Sequence, residues 1–454
     1  MIAYSLAETC ILNDDGYKMT SRSKFKPSTA LAVIIANMIG TGVFTSLGFQ
    51  LIGIQSGFVI LMLWIIGGIT ALCGALTYAE LGSALPRSGG EYNFLSHIYH
   101  PVAGFTSGWI SSTIGFSAPT ALAAITFGSY LSAVFPFLSA QYLALALLAV
   151  MTIVHGSSRK NSGQIQQIFT LLKIFLILVF CLAGLLLVAE PQPVNFMPIA
   201  GDKSLILSST FAISLIYVSY AYTGWNAATY ISSELEHPQK SLSTILLSGT
   251  VIVTICYVLL NYVFLYTAPI DELVGKVEIG VISAQHVFGD GGAMIMGTVL
   301  SLLLISTVSA MTLAGPRVLQ VIGEDFKVFE KLAVTNADGV PTRAIYFQSS
   351  IAAIFVLTSS FESILVFSGF ALALNSFLAV AGIFVLRYKQ PELERPYKTW
   401  LYPLPPLIYL AVTGWTLSYI LIERQKEAGM SLGIIALGII FYYFTTRSTL
   451  PTSK

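Results

Sequence analysis

Long apolar runs alternate with short polar connections along almost the whole chain. Twelve of these runs approach or exceed the roughly 20 helical residues that cross the hydrocarbon core of a bilayer. By residue number they are 29–51, 57–80, 103–134, 140–155, 165–188, 205–233, 243–266, 292–318, 344–359, 364–386, 404–422 and 430–444. The pattern predicts an all-α polytopic membrane protein with twelve transmembrane helices.

The first apolar run contains a break near its middle. Gly40 and Gly42 stand two residues apart there, and glycine is a poor helix former that lets the backbone turn. In hydrocarbon, such a break is tolerated only where it faces protein or a watery cavity. The free N–H groups and positive dipole end of the second half-helix would suit a carboxylate.

The sixth run carries a second break, at residues 220–226, where Gly224 lies among tyrosines, a tryptophan and an asparagine. Interrupted helices at corresponding places in two halves are typical of transporters built from inverted repeats. In an inverted half, the first half-helix ends at the site with free carbonyls, which suit an ammonium group. A carboxylate site beside an ammonium site fits an α-amino acid.

Composition supports the membrane assignment. Of the 454 residues 55% are hydrophobic and 10% are charged, with a mean hydropathy of +0.78, which is too apolar for a soluble domain. A formal net charge of +1 excludes the basic field of a nucleic-acid-binding protein. The four cysteines have no metal-type or redox-type spacing, and the sequence predicts no cofactor and no metal.

The distribution of Lys and Arg predicts the orientation. With the N-terminus inside, eighteen lie in the inner segments and four in the outer ones, and Lys173, inside a run, completes the 23. Residues 1–27 are therefore predicted to be a cytoplasmic tail. Both termini are placed in the cytoplasm of a multi-pass protein of the cell membrane.

Several motifs resemble one family. They are NMIGTGVF (37–44), YAELGSALPRSGGEY (78–92), TGWN (223–226) with Glu234 and Pro238 after it, and AGPR (314–317) with Pro341 after it. They resemble the amino acid–polyamine–organocation superfamily, and most closely the L-type amino acid transporters and their bacterial relatives. The resemblance implies a five-plus-five inverted repeat of the leucine-transporter type with discontinuous helices 1 and 6. It implies repeats at 28–190 and 191–390, with helices 11 and 12 in 391–454.

The resemblance also implies roles for seven positions of the two breaks. The backbone N–H groups around Gly40, Thr41 and Gly42 would bind the substrate carboxylate. The carbonyls of Tyr220, Ala221 and Thr223 would bind its amino group, with Tyr220 as the aromatic gate and Asn226 near the substrate side chain. Thr223 departs from the L-type pattern, which usually has a second glycine there.

Lys173 lies deep in the fifth run, where a lysine costs about 2.5–3.5 kcal/mol on the insertion scale. The resemblance implies that its ammonium takes the place of the sodium ion of sodium-coupled relatives, with Ser306, Thr307 and Ser309 of the eighth run as available partners. A purely structural lysine is the alternative.

The function indicated is secondary active transport of amino acids by alternating access, either by exchange or by proton-coupled symport, without sodium. The lack of an unpaired acidic residue deep in a run favours neutral L-amino acids, and polyamines or other organic cations are the alternative substrates. No phosphate-binding loop for ATP is present.

The sequence lacks the residues that two other classes of membrane protein need. An intramembrane enzyme would need His-Glu-x-x-His or paired acidic residues in the bilayer, and a channel would need a ring of repeated filter residues. Animal L-type relatives join a glycoprotein heavy chain through a cysteine between spans three and four, but residues 135–141 contain none. No disulfide-linked heavy chain is therefore expected.

Overall fold

The computed structural model describes residues 27–87, 89–157, 162–336 and 339–447, and within these ranges the chain is helical with no β-strand. In chain order the α-helices are α1 (Pro27–Met38), α2 (Gly42–Gln50), α3 (Gly57–Ala84), α4 (Glu91–Ile98), α5 (Pro101–Ile110), α6 (Ser117–Val134), α7 (Ala140–Ser157), α8 (Ser162–Leu187), α9 (Asp202–Ile206), α10 (Ser209–Tyr222), α11 (Pro238–Thr267), α12 (Ile270–Leu273), α13 (Ile279–Asp325), α14 (Glu330–Ala333), α15 (Thr342–Thr358), α16 (Phe361–Lys389), α17 (Leu404–Glu423) and α18 (Gln425–Arg447).

Nine helical segments of the described residues are long and apolar enough to cross a membrane. They are Ala30–Gln50, Gly57–Ala84, Pro101–Val134, Ala140–Ser157, Pro238–Thr267, Ile279–Asp325, Phe361–Lys389, Leu404–Glu423 and Gln425–Thr445. Of the other three predicted runs, one falls on the shorter apolar helix Leu171–Leu187 of α8. The remaining two fall on the 14-residue α10 and the 17-residue α15. The architecture is that of a multi-pass membrane protein.

Two long helical segments are irregular for local reasons. A π-helical turn, Ser111–Gly115, joins α5 to α6. There the hydroxyls of Ser112 and Thr113 donate to carbonyls four residues earlier, both at 2.7 Å, and such back-bonding distorts a helix. In α13, Gly289 adopts φ 68° and ψ −175°, so this 47-residue element is two helices joined at a kink.

The helices around the two breaks pack closely. α3 lies along α11, α6 lies along α13, and α1 contacts both α8 and α11. A Cβ on Gly67 of α3 would lie 2.2 Å from Val218 Cγ1 of α10, so the absence of a side chain permits this approach. Small residues at such contacts are typical of helix association in membranes.

A buried carboxylate fixes the connection between α16 and α17. Glu80 of α3 is 1% exposed and accepts hydrogen bonds from Arg387 Nε at 2.8 Å and Nη2 at 2.7 Å. It also accepts the backbone N–H of Thr399 at 2.7 Å, and Arg395 Nε lies 3.5 Å away. The end of α3 and the loop after α16 are therefore held as one unit.

Candidate functional site

The first helix break separates α1, which ends at Met38, from α2, which begins at Gly42. The amide N–H groups of Thr41, Gly42 and Val43 donate to no backbone carbonyl in the described part of the chain. The first N–H groups of a helix have no intrahelical acceptor and lie at the positive end of the helix dipole. The start of α2 can therefore bind an anionic group.

The second break follows α10, which ends at Tyr222. Gly224 adopts φ 108°, a conformation that favours glycine, and a 3₁₀ segment, Ala227–Glu234, continues the chain. The carbonyl of Tyr220 accepts the N–H of Thr223 at 2.9 Å. The carbonyl of Thr223 accepts no backbone hydrogen bond from the described residues, so this break offers one free acceptor to a cation.

The two breaks lie directly against each other. A Cβ on Gly42 would be 2.5 Å from Cα of Ala221, and a Cβ on Gly224 would be 2.8 Å from Cβ of Asn37. Each glycine thus permits one broken helix to approach the backbone of the other. The unpaired N–H groups of the first break and the unpaired Thr223 carbonyl of the second therefore belong to two breaks in direct contact.

Tyr257 of α11 joins the two breaks with one hydroxyl. That hydroxyl lies 2.5 Å from the carbonyl of Met38 and 3.0 Å from the carbonyl of Ala221. Its ring is fixed by edge contacts with Trp64 and Tyr222, with centroid distances of 5.4 and 5.0 Å. No pattern in the sequence distinguishes Tyr257 from an ordinary aromatic residue of an apolar run.

A cavity of about 340 Å³ lies beside the breaks. Gly40, Thr41 and Gly42 line it on one side, and residues 219–227 line it on the other. The cavity continues along α13 to Arg317 and Ile322. All seven predicted substrate-site residues line this one cavity: Gly40, Thr41, Gly42, Tyr220, Ala221, Thr223 and Asn226.

Lys173 of α8 lies behind the first break. Its side chain is 3% exposed, and its ammonium donates to the carbonyl of Ile39 at 3.2 Å and to the hydroxyl of Thr307 at 2.8 Å. These contacts connect three elements: α8, the residues between α1 and α2, and α13.

The other two predicted partners of Lys173 have different contacts. The hydroxyl of Ser306 donates to the carbonyl of Leu303 at 2.7 Å. Ser309 is 2.7 Å from Nε2 of His155 on α7. Of the three hydroxyl residues named from the sequence, the structure pairs Thr307 with Lys173.

Comparison with known proteins decides the family. The model of a family described as amino acid permease matches residues 25–445. The chain belongs to the amino acid permease family. Its relatives among the amino acid transporters are named as transporters, and none of those named here is an enzyme.

Three relatives cover most of this permease at similar identity. The b(0,+)-type amino acid transporter 1 of Mus musculus is 28% identical over 425 residues, which are 91% of this chain and 86% of the relative. The cystine/glutamate transporter of Homo sapiens is 26% identical over 434 residues, 94% and 86% of the two chains. The large neutral amino acids transporter small subunit 2 of Mus musculus is 28% identical over 427 residues, 91% and 79% of the two chains.

The permease has an acidic residue on the cavity wall for which the sequence predicts no role in the site. Glu91, the first residue of α4, is 2% exposed and lines the cavity. Its Oε1 accepts from the hydroxyl of Tyr78 at 2.9 Å and from Nδ2 of Asn226 at 2.6 Å. Its Oε2 accepts from the hydroxyl of Tyr230 at 2.6 Å, and Ser376 Oγ is 3.5 Å from Oε1.

The next residue of α4 faces a different element. The hydroxyl of Tyr92 donates to Asp325, at the end of α13, at 2.5 Å, and Arg87 Nη2 lies 2.9 Å from the same carboxylate. Burial and the Asp325 hydrogen bond raise the pKa of Tyr92 far above its usual range, so Tyr92 stays a neutral donor. The first turn of α4 therefore contacts α3, the 3₁₀ segment and α13.

The motif at 78–92 is the part of the sequence that could have indicated a role for Glu91. It contains Pro86 and the paired glycines Gly89 and Gly90, residue types that interrupt helices, and the structure has α3 ending at Ala84 and α4 beginning at Glu91. Burial of the carboxylate depends on its contacts with α3, α16 and the 3₁₀ segment, which are distant in sequence.

Proposed function

We propose that this permease is a secondary active transporter of neutral L-amino acids that works by alternating access. The observation that carries the proposal is the contact between the two helix breaks. It places free N–H groups of one break beside the free Thr223 carbonyl of the other, at the wall of a cavity of about 340 Å³.

In this proposal the substrate carboxylate binds the N–H groups around Gly40, Thr41 and Gly42, at the positive end of α2. Its amino group binds the carbonyls of Tyr220, Ala221 and Thr223. The ring of Tyr220 closes over the bound substrate as a gate, and the substrate side chain extends toward Asn226.

Two observations support a neutral substrate. Glu91, the acidic residue on the wall, already accepts three short hydrogen bonds from neutral donors, so few lone pairs remain for a cationic side chain. One relative is named a large neutral amino acids transporter. The name of the cystine/glutamate transporter shows that substrates differ within the similar proteins, so the substrate must be measured.

We place this mechanism in twelve transmembrane helices, with five-plus-five inverted repeats at 28–190 and 191–390 and two further helices in 391–454. Helices 1 and 6 are the discontinuous ones. The excess of Lys and Arg in the predicted inner segments supports cytoplasmic termini in the cell membrane.

Lys173 supplies the cation that a bound sodium ion would otherwise supply in this scheme. Its contacts with Ile39 and Thr307 support a role in holding α8 and α13 against the first break. Transport would then be driven by exchange of one amino acid for another or by a proton gradient, without sodium.

The chain is proposed to work without a disulfide-linked heavy chain. The name of one relative designates a small subunit, but residues 135–139, between α6 and α7, contain no cysteine. Cys73, Cys181 and Cys256 are buried, and Cys10 lies outside the described residues.

Uptake into proteoliposomes that contain only this chain tests the proposal. The panel is radiolabelled leucine, alanine, glutamate, lysine and a polyamine, each measured with and without sodium, internal amino acid and an inward proton gradient. We expect saturable, sodium-independent uptake of a neutral amino acid, stimulated either by internal amino acid or by the proton gradient. Uptake of the polyamine alone, a strict need for sodium, or a conductance without saturation would each contradict it.

A further inference from the structure

The Glu91 carboxylate joins parts of the permease that are distant in sequence. Tyr78 lies on α3, whereas Asn226 and Tyr230 lie at the start of the chain segment that follows the second break. All three are neutral donors. Hydrogen bonds to a carboxylate are roughly twice as strong as those between neutral groups, so this cluster strongly constrains its members.

The glycine before Glu91 permits the contact with Tyr230. Gly90 adopts φ 53°, and a Cβ at this position would be 2.6 Å from Cε1 of Tyr230. A side chain there would displace the ring whose hydroxyl reaches Glu91. The backbone at Gly90 is thus shaped to bring Tyr230 against the start of α4.

The segment that Glu91 contacts has little structure of its own to fix it. After Gly224 the backbone is held by i to i+3 hydrogen bonds, from Ala227 N–H to the Gly224 carbonyl and from Thr229 N–H to the Asn226 carbonyl, both at 2.9 Å. These 3₁₀ bonds have poorer geometry than α-helical ones. Side-chain contacts must therefore position this segment, and Glu91 accepts two of them.

We propose that Glu91 is a positioning residue for substrate recognition. Its carboxylate fixes Asn226 and Tyr230, and through them it sets the direction of the carbonyls at Tyr220–Thr223 that receive the substrate amino group. Glu91 acts through this segment and does not itself contact the amino group. The inference rests on the proposed function, because it assumes that these carbonyls bind the substrate.

The first test is a double-mutant cycle in proteoliposomes. Glu91→Gln and Tyr230→Phe should each raise the KM for the transported amino acid about tenfold, which corresponds to about 1.4 kcal/mol, with little change in maximal rate. The double variant should resemble the single variants, because both changes break one cluster. Tyr99→Phe is the matched control: it removes a hydroxyl at the other end of the same α4 region, which donates to the Leu378 carbonyl at 2.9 Å, and its KM should match wild type.

The second test measures the accessibility of the second break and does not depend on transport. In a background without Cys10, Cys73, Cys181 and Cys256, a Thr223→Cys variant is labelled with N-ethylmaleimide. Glu91→Gln and Tyr230→Phe should change the labelling rate severalfold, and Tyr99→Phe should leave it unchanged.

Three results would overturn the inference. They are unchanged labelling in both Glu91→Gln and Tyr230→Phe, a double variant whose KM effects multiply to about a hundredfold, or a lower thermal stability with an unchanged KM. The last would make Glu91 structural only. A wild-type protein that transports no amino acid would refute the proposed function, and the labelling rates would still decide whether Glu91 positions the break.

Discussion

Replacing Gly42 by alanine, with Gly40→Ala as the matched control, tests the contact between the two helix breaks. The two glycines are two positions apart in one motif, but their surroundings differ. A Cβ at position 42 would be 2.5 Å from Cα of Ala221, whereas a Cβ at position 40 would first meet Thr307 Cγ2 at 3.6 Å. The first is a collision with backbone, and the second is ordinary van der Waals contact.

The magnitude follows from these distances. Non-bonded carbon atoms sit at roughly 3.5 Å or more, so Gly42→Ala must move the two broken helices apart by about 1 Å. Overpacking of this kind costs about 1–3 kcal/mol. A displacement of about 1 Å in a positioned site can reduce its efficiency about a hundredfold. We therefore expect about a hundredfold loss of transport in Gly42→Ala and less than about a threefold change in Gly40→Ala.

The assay is radiolabelled uptake into proteoliposomes, normalised to correctly folded protein by size-exclusion chromatography. Substrate binding to the detergent-purified variants separates loss of affinity from loss of movement. Equal damage in both variants, or wild-type affinity in Gly42→Ala, would refute the assignment of the close contact to position 42.

Three further results are expected. Lys173→Ala should lose at least about tenfold in transport rate while retaining some substrate binding, because a charged hydrogen bond contributes about 1.5–3 kcal/mol; a normal rate would make the lysine structural. Glu80→Gln should lower the free energy of unfolding by about 3 kcal/mol, measured by thermal denaturation. Glu362→Gln should cost less than about 1 kcal/mol, because Glu362 and its partner Arg424 are 28% and 36% exposed and a glutamine can still accept from Tyr217; similar losses would contradict this reasoning. Non-reducing gels of native membranes should show no thiol-sensitive heterodimer, and such a band would contradict the single-chain proposal.

The helix breaks could be predicted from the sequence because their signal is local. Gly40, Gly42 and Gly224 interrupt apolar runs, and the structure ends helices at Met38 and Tyr222. The sequence did not distinguish Gly42, whose hydrogen atoms face another backbone, from Gly40, which has room for a side chain. That difference depends on how two helices pack.

The lengths of the helices could not be predicted from the lengths of the apolar runs alone. The run at 205–233 was predicted as one interrupted span, but its helical part is the 14-residue α10, followed by the 3₁₀ segment. The reason is the backbone of Gly224, at φ 108°, which stops α-helical hydrogen bonding. The run at 292–318 was too short, since α13 extends from Ile279 to Asp325 across the kink at Gly289.

The polar contacts of the site also depend on helix packing, which the sequence alone does not show. Ser309 was named with Thr307 as a partner of Lys173, but residues two positions apart on a helix point about 200° apart. Ser309 faces His155 instead. Glu91 lies between the predicted runs 57–80 and 103–134, and its burial arises from contacts with Tyr78 and Asn226, which no local pattern encodes.

The hydroxyl of Tyr257 has a single proton for two acceptors, the carbonyls of Met38 and Ala221. This proton is shared between the ends of two broken helices, and the Met38 carbonyl also accepts the N–H of Gly40 at 2.7 Å. Under the proposed function, an ammonium group at the Ala221 carbonyl would bring its own protons and leave the tyrosine proton to Met38. Tyr257 would then occupy the place of the substrate donor at this carbonyl, and it would not have to be displaced on binding.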